Sequence, residues 1–302
     1  VNHRRSPASL LARLLDRAKQ GGEDYSLVLN RFGLERLLDR LAHSRHADRF
    51  LLKGALLFSL WYDQPHRPTR DADLLAFGPD DVEHLTATFR EIATIELDDG
   101  IVFDAESIRA DPIREHNAYG GIRVRLVGRI GTTRCSLQVD VGFGDAVTPD
   151  PELVAYPPLL PDFDAPRLRV YPVYTVIAEK YQAMVTLGAA NSRMKDFHDI
   201  ATIARRTSLD GATLARAIAA TFERRRTELP AEPPLALQSA FADDEAKQRQ
   251  WAAFLARNRL GAFGLREVIA LLYTLLWPAT QIAASGSAAT ALWWPEHLAW
   301  TP

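Results

Sequence analysis

Apolar positions recur at helical spacing from Ser9 to Lys19, where Leu10, Leu11, Leu14, Leu15 and Ala18 form one stripe and Gly21-Gly22 ends the run. A second helix is expected from about Tyr25 to Ala42, with Leu27, Phe32, Leu34, Leu37, Leu38 and Leu41 inward. The period then changes. Phe50-Leu51-Leu52 is a short apolar run, Lys53-Gly54-Ala55 interrupts it, and Leu56 to Tyr62 is apolar again, which reads as strand, glycine turn, helix. Asp63 to Pro68 is a loop. Thr69 to Phe77 reads as a strand, and Pro79-Asp80-Asp81 opens a helix to about Ile95. Strands follow at Ile101–Ile108, Ile122–Ile130 and Thr133–Phe143, the last two joined by a hairpin turn at Gly131-Thr132. Asp145 to Arg167 is rich in Pro and Asp, carries no periodicity, and reads as a linker. From Pro172 onward the pattern is helical: Val173–Leu187, Lys195–Arg206, Gly211–Arg226, about Asp243–Asn258 and Leu265–Trp277. The fold class expected is α/β (α+β): a mixed-sheet domain with N-terminal helices over residues 1–165, then an all-helical domain over 166–302.

Composition narrows the class. The 302 residues are 47% hydrophobic and 25% charged, which excludes disorder, a collagen-like chain and a coiled-coil rod. One cysteine, Cys135, excludes an internal disulfide framework and a cysteine-based zinc site. A formal net charge of −2 excludes an overall basic coat, so a nucleic acid would need a local patch. Only five of the 36 basic residues are lysines (Lys19, Lys53, Lys180, Lys195 and Lys247), so a lysine in an apolar segment stands out. The charge-free stretch from Val268 contains Pro278, Thr280 and Gln281 and is short for a membrane span, so a buried helix broken near Pro278 is expected, with no membrane partner. No targeting segment is visible, and a cytoplasmic location is expected. The eight histidines are scattered, and the sequence has neither a G-x-S-x-G elbow nor a G-x-G-x-x-G fingerprint.

The most informative segment is Thr69-Arg70-Asp71-Ala72-Asp73-Leu74. In a strand Thr69, Asp71 and Asp73 share one face, and the two aspartate Cα atoms lie roughly 6.6 Å apart. Like charges that close are mutually destabilising unless a cation sits between them. Mg²⁺ suits such a pair; a solvated strand edge is the plain alternative. Thr133–Phe143 alternates likewise, with Cys135, Leu137, Val139 and Val141 on an apolar face and Ser136, Gln138 and Asp140 opposite. If the two strands are neighbours, Asp140 completes a carboxylate triad. Lys53-Gly54-Ala55, between strand and helix, could bring backbone N–H groups to a phosphate, or be an ordinary turn. Lys180 lies in an apolar helix and needs an anionic partner, either an acid of the protein or a phosphate. Asp196 and Asp199 share a helix face. Arg123, Arg125 and Arg129 alternate on one strand face near Arg134, and Arg224-Arg225-Arg226 reads as a helix C-terminal cluster.

Together these elements resemble the AbiEii/AbiGii (MenT-type) nucleotidyltransferase toxin family of the DNA polymerase β-like superfamily. Lys53-Gly54-Ala55 and Arg67-x-Thr69-x-Asp71-x-Asp73 match its signature. Ala178-Glu179-Lys180 and Arg193-x-Lys195-Asp196-x-x-Asp199 match its helical elements, and Trp277-Pro278, Trp293, Trp294 and Trp300 its tail. The match runs from about Phe50 to Trp300. One departure is Ala55, where the family usually has Gly or Ser, so a hydroxyl contact to the nucleotide phosphates is missing.

The resemblance implies that Asp71, Asp73, Asp140 and Lys180 are catalytic and that the three acids hold Mg²⁺ or Mn²⁺, with Asp140 as third carboxylate and either general base toward a 3′-hydroxyl or holder of the metal that lowers that hydroxyl's pKa. Lys53, Gly54, Ala55, Arg67, Thr69, Lys180, Asp196 and Asp199 would line the site for an NTP, a pyrimidine NTP favoured. Thr69 is a candidate regulatory phosphosite, and Arg123, Arg125 and Arg129 are candidate RNA contacts. The activity implied is transfer of a nucleoside monophosphate to the 3′ end of tRNA at the acceptor stem, which blocks aminoacylation, under control of a cognate antitoxin encoded nearby. Two other readings stand beside it: transfer to a protein or a small molecule such as an antibiotic, and a catalytically silent nucleotide- or partner-binding module.

Overall fold

The computed structural model describes residues 5–62, 68–113, 120–261, 263–287 and 291–301. The chain divides into two compact units: Val1–Gly144 with Glu152–Val170, and Asp145–Pro151 with Tyr171–Pro302.

The first unit begins with helices α1 (Pro7–Gly21) and α2 (Tyr25–His43). Strand β1 (Phe50–Lys53), a 3-10 turn over Gly54–Leu56 and the five-residue α3 (Leu57–Trp61) follow. Next come β2 (Asp71–Ala76), α4 (Val82–Ala93), β3 (Val102–Ile113), β4 (Gly121–Ile130) and β5 (Thr133–Phe143). The expected linker instead supplies one strand, β6 (Glu152–Ala155), and the start of another, β7 (Arg167–Val170). Each has only four residues, too few for an alternation to declare itself among prolines and aspartates. The seven strands form one sheet in the order β3-β4-β5-β2-β1-β7-β6. It is mixed: β2 runs parallel to β5 and β1 parallel to β7, and the other pairs are antiparallel.

Alternation along the central strands decides what each face does. Ala72 and Leu74 of β2, Leu137, Val139 and Val141 of β5, and Val124 and Leu126 of β4 are buried. They pack with Leu34, Leu37, Leu38 and Leu41 of α2 and Phe89 and Ile92 of α4. Each of the valine, leucine, isoleucine and phenylalanine side chains contributes about 1.5–3 kcal/mol of burial. A one-residue slip would put the acidic side chains into this layer, so the register is tightly specified. Helix α2 is buried beyond its apolar stripe: Glu35, Arg36, Asp39 and Arg40 are also inside. Arg36 bonds Glu35 and Asp39, Arg40 bonds Asp99, and Glu35 accepts the backbone N–H of Leu159. The 159–167 segment covers the helix face that the pattern assigned to solvent.

The second unit packs α5 (Val173–Leu187), α6 (Met194–Arg206), α7 (Gly211–Arg224), α8 (Ser239–Asp243), α9 (Glu245–Asn258) and α10 (Leu265–Ser285). It is not purely helical. Strands β8 (Leu209–Asp210), β9 (Leu292–Trp294) and β10 (Ala299–Thr301) form a small antiparallel sheet that seats Trp293, whose indole N–H donates to the Ala204 carbonyl at 2.7 Å. Nor does the last long helix break at Pro278. Proline leaves the Thr274 carbonyl without its helical donor. The Trp300 indole N–H supplies one, at 3.1 Å from Thr274 O and 3.2 Å from Leu275 O. Among the described residues α10 is the one helix long and apolar enough to cross a membrane, and Val268, Leu272, Leu275, Leu276 and Ala279 of it are fully buried within the unit.

Candidate active site

The polar face of the first unit's sheet carries the acidic strand. Lys53 of β1 pairs with Asp73 of β2, so the chain leaving β1 passes directly over the Asp73 side chain. Only a glycine fits there. Gly54 has φ +76°, and a Cβ on it would lie 1.9 Å from Asp73 Oδ2. The turn therefore brings bare backbone against a carboxylate. The helix expected behind it is short, a 3-10 turn and five α-helical residues, so little dipole stands behind the turn. Ala55 is buried at the start of that turn.

Strands β2 and β5 are neighbours, as the triad requires. Asp73 is the register partner of Asp140, and Asp71 of Gln138. The next strand, β4, continues these rows: Arg123 opposite Asp140 and Arg125 opposite Gln138. Register partners share a face, so Asp71, Asp73, Asp140, Arg123 and Arg125 all stand on one side of the sheet. Thr69, just ahead of β2, donates its hydroxyl to Asp71 Oδ1 at 2.9 Å.

Arg123 changes the expected triad. Its Nε donates to Asp140 Oδ1 at 2.8 Å, and a terminal nitrogen donates to Oδ2 at 2.7 Å. This hydrogen bond, against some loss of hydration and with the charges of Asp140, Asp71 and Asp73 adding to it, raises the Arg123 pKa above its ordinary value. Asp140 is thus half of a bidentate ion pair. Among the described residues no three His, Cys, Asp or Glu side chains are disposed to hold a metal ion together. The donor set nonetheless suits a hard divalent cation: Asp71 and Asp73 offer carboxylate oxygens on one face, and a protein cation already stands among the three acids.

The other arginines are partly engaged. Arg125 pairs with Asp111 at 2.9 Å and Arg129 approaches Asp104 at 4.0 Å. Arg67 lies outside the described residues. The signal for the Arg123–Asp140 pair was present in the sequence. The two-residue turn at Gly131-Thr132 fixes Ile130 opposite Thr133, and seven residues up each strand Arg123 meets Asp140.

The second unit holds its own charged cluster. Lys180 of α5 lies 2.8 Å from both Asp196 Oδ1 and Asp199 Oδ2 of α6. Both acids are almost fully buried, and Arg193 also bonds Asp196, at 2.7 Å. Burial pushes the Asp196 carboxyl up, but Lys180 and Arg193 outweigh it and hold its pKa below the ordinary carboxylate value. Glu179 points elsewhere. It lies 3.5 Å from Arg225, which also bonds Asp145 at 2.9 Å. Arg225 is therefore not an exposed helix-end charge beside Arg224 but a largely buried partner of two acids, which sequence spacing did not show.

Paired aspartates on one sheet face beside a tight glycine turn are compatible with nucleotidyl transfer. The family model for the nucleotidyl transferase AbiEii toxin of type IV toxin–antitoxin systems matches residues 36–264, and the chain belongs to that family. It is a nucleotidyltransferase toxin, and its family implies an antitoxin partner. Among solved structures it is similar to MenT4, a nucleotidyltransferase toxin from Mycobacterium tuberculosis: 20% identity, 91% of this chain and 93% of that one covered, TM-score 0.56. It is also similar to JHP933 from Helicobacter pylori: 15% identity, 85% and 92% covered, TM-score 0.47. No curated protein matches the chain.

Proposed function

We propose that this toxin transfers a nucleoside monophosphate from an NTP to the 3′ end of RNA, with the tRNA acceptor end as its target and Mg²⁺ or Mn²⁺ held by Asp71 and Asp73. The observation that carries the reading is the placement of these two acids on one sheet face, with the Gly54 backbone against Asp73. A divalent ion there supplies charge neutralisation for the phosphates and lowers the pKa of the attacking hydroxyl.

The layout on either side of β2 supports an acceptor that is itself a nucleic acid. In-line phosphoryl transfer needs the leaving pyrophosphate and the attacking hydroxyl on opposite sides of the α-phosphorus. The Gly54 turn flanks β2 on its β1 side. On its β5 side, beginning at Asp71, is a pocket of about 480 Å³. Asn30, Ser136 and Gln138 line it, with Arg70, Arg125 and Arg134. Its apolar part suits a base and its arginines suit phosphodiesters. The parts of Lys180, Asp196 and Asp199 in the reaction are proposed on the family's pattern; within their own unit they form one ion cluster. Phosphorylation of Thr69, whose hydroxyl bonds Asp71, would place a dianion on the metal-binding carboxylate and repel the triphosphate.

The test is incorporation of each of four radiolabelled NTPs into total tRNA, with Mg²⁺ and with Mn²⁺, by the unaltered chain and by Asp71→Ala. Label in tRNA that vanishes in the variant is expected. No label with any NTP would refute the tRNA reading, and label on protein or a small molecule would move the acceptor there.

A further inference from the structure

Arg123 stands between two carboxylates. It is the register partner of Asp140 on β5 and, on its other side, of Asp111 on β3. In the structure it holds Asp140 through a bidentate pair, while Asp111 bonds the neighbouring Arg125. The Asp140 side chain is 18% exposed, the Arg123 side chain 33% and Asp111 64%, so the inner contact is sheltered and the outer one lies in solvent. A fork-to-fork arginine–carboxylate contact satisfies one oxygen with each donor and leaves that carboxylate poorly placed to coordinate a cation. The guanidinium's positive charge also opposes any divalent ion that approaches the same three acids.

We propose that Arg123 is a positioning residue that competes with the divalent cation for Asp140, moving between Asp140 and Asp111, so that its position sets how tightly the site holds metal. The proposal rests on the reading of Asp71 and Asp73 as the metal-binding pair. With Arg123 on Asp140 one of the three negative charges is paired and the repulsion across the face is reduced without metal. With Arg123 turned toward Asp111, Asp140 becomes available as the third carboxylate. No bond is made or broken in the exchange; one ion pair replaces another across the width of one strand.

Binding of Mn²⁺ alone to the full chain, without nucleotide, tests this through the electron paramagnetic resonance signal of free Mn²⁺ at fixed ionic strength. Arg123→Ala is expected to bind Mn²⁺ about tenfold more tightly, a coupling typical of neighbours in one ion network. Arg123→Lys keeps the charge but loses the rigid fork, and should fall between. Asp111→Asn removes the alternative partner and should weaken Mn²⁺ binding, but only while Arg123 is present. In an Arg123→Ala background its effect should disappear, which a general loss of negative charge would not produce. Circular dichroism and melting of each variant show that the sheet is intact. Unchanged or weaker binding by both Arg123 variants, with Mn²⁺ bound by the unaltered chain and lost in Asp71→Asn, overturns the competition and leaves the metal site standing. No Mn²⁺ binding in any variant overturns both.

Discussion

The carboxylate of Asp73 occupies the space that a side chain at residue 54 would need. A Cβ there would meet Asp73 Oδ2 at 1.9 Å and its Cγ at 2.7 Å, and the backbone at Gly54 already sits at φ +76°. Gly54→Ala would have to move either the turn or the acid. The left-handed backbone adds about 1–2 kcal/mol of strain for a residue with a Cβ. Nucleotide incorporation is expected to fall at least about 100-fold, the usual effect of displacing a reacting group by an ångström. Labelling kinetics and a melting curve on the same preparation check it. A variant with near-normal incorporation would show that Asp73 need not hold its position.

Lys180 is the cation shared by two buried acids, Asp196 and Asp199. Burial pushes Asp196 up, and Lys180 with Arg193 holds it below the ordinary value, so in the unaltered chain its stabilising contribution is present above about pH 4 and is lost as pH falls through the lowered value. Lys180→Met removes the stronger of these pulls. The Asp196 carboxyl then rises above its unfolded value, and the sign of its pH dependence reverses: the variant keeps most of its stability at low pH and loses it as pH climbs through the raised value. A deficit of about 3–5 kcal/mol is expected near neutral pH, shrinking toward pH 5. Urea unfolding at several pH values measures it. A deficit independent of pH would mean that Arg193 alone keeps Asp196 ionised. A loss of activity in Lys180→Met is therefore interpretable only beside its unfolding curve.

Much of this was legible because the central strands are long. Ten or more residues of alternation in β4 and β5, and the Asp-Ala-Asp-Leu run of β2, separate a packed face from a polar one without ambiguity. Helix α5 matched its expected limits, because its apolar residues and the flanking Pro172 and Gly188 mark both ends. What escaped depends on the partner and not on the segment. Strands β6 and β7 exist because β1 offers an edge to Val170, and β7 offers its other edge to β6. The inward turn of Arg225 exists because Asp145 and Glu179 wait for it. The Arg123–Asp140 pair lay within reach of register counting, but a stripe of arginines read along one strand conceals the acid on the next.

Arg70 and Arg134 line the pocket beside Asp71, together with Arg125, which is paired with Asp111. If RNA enters there, Arg70→Glu with Arg134→Glu should raise the KM for tRNA at least about tenfold while the KM for NTP changes little. Binding of a fluorescent single-stranded RNA should also lose about one to two units from its salt-dependence slope, near one for each phosphate contact removed. Equal weakening toward NTP and RNA would place the triphosphate, not the acceptor, in the pocket.

The tail of the chain holds the long helix together across its proline. Pro278 gives the Thr274 carbonyl no helical donor, and the Trp300 indole takes that role at 3.1 Å. Trp300→Phe keeps an aromatic ring near Trp293 but removes the N–H, leaving the carbonyl to water, at a cost of about 0.5–1.5 kcal/mol. Pro278→Ala restores an N–H within the helix, so the indole bond becomes redundant. The two substitutions should therefore be coupled: Trp300→Phe should cost clearly less in the Pro278→Ala background, by about 1 kcal/mol in a double-mutant cycle. Ring packing lost in both backgrounds cancels from that difference. Equal costs with and without Pro278 would show that Trp300 stabilises the tail through its ring, and that the helix tolerates the unpaired carbonyl by other means.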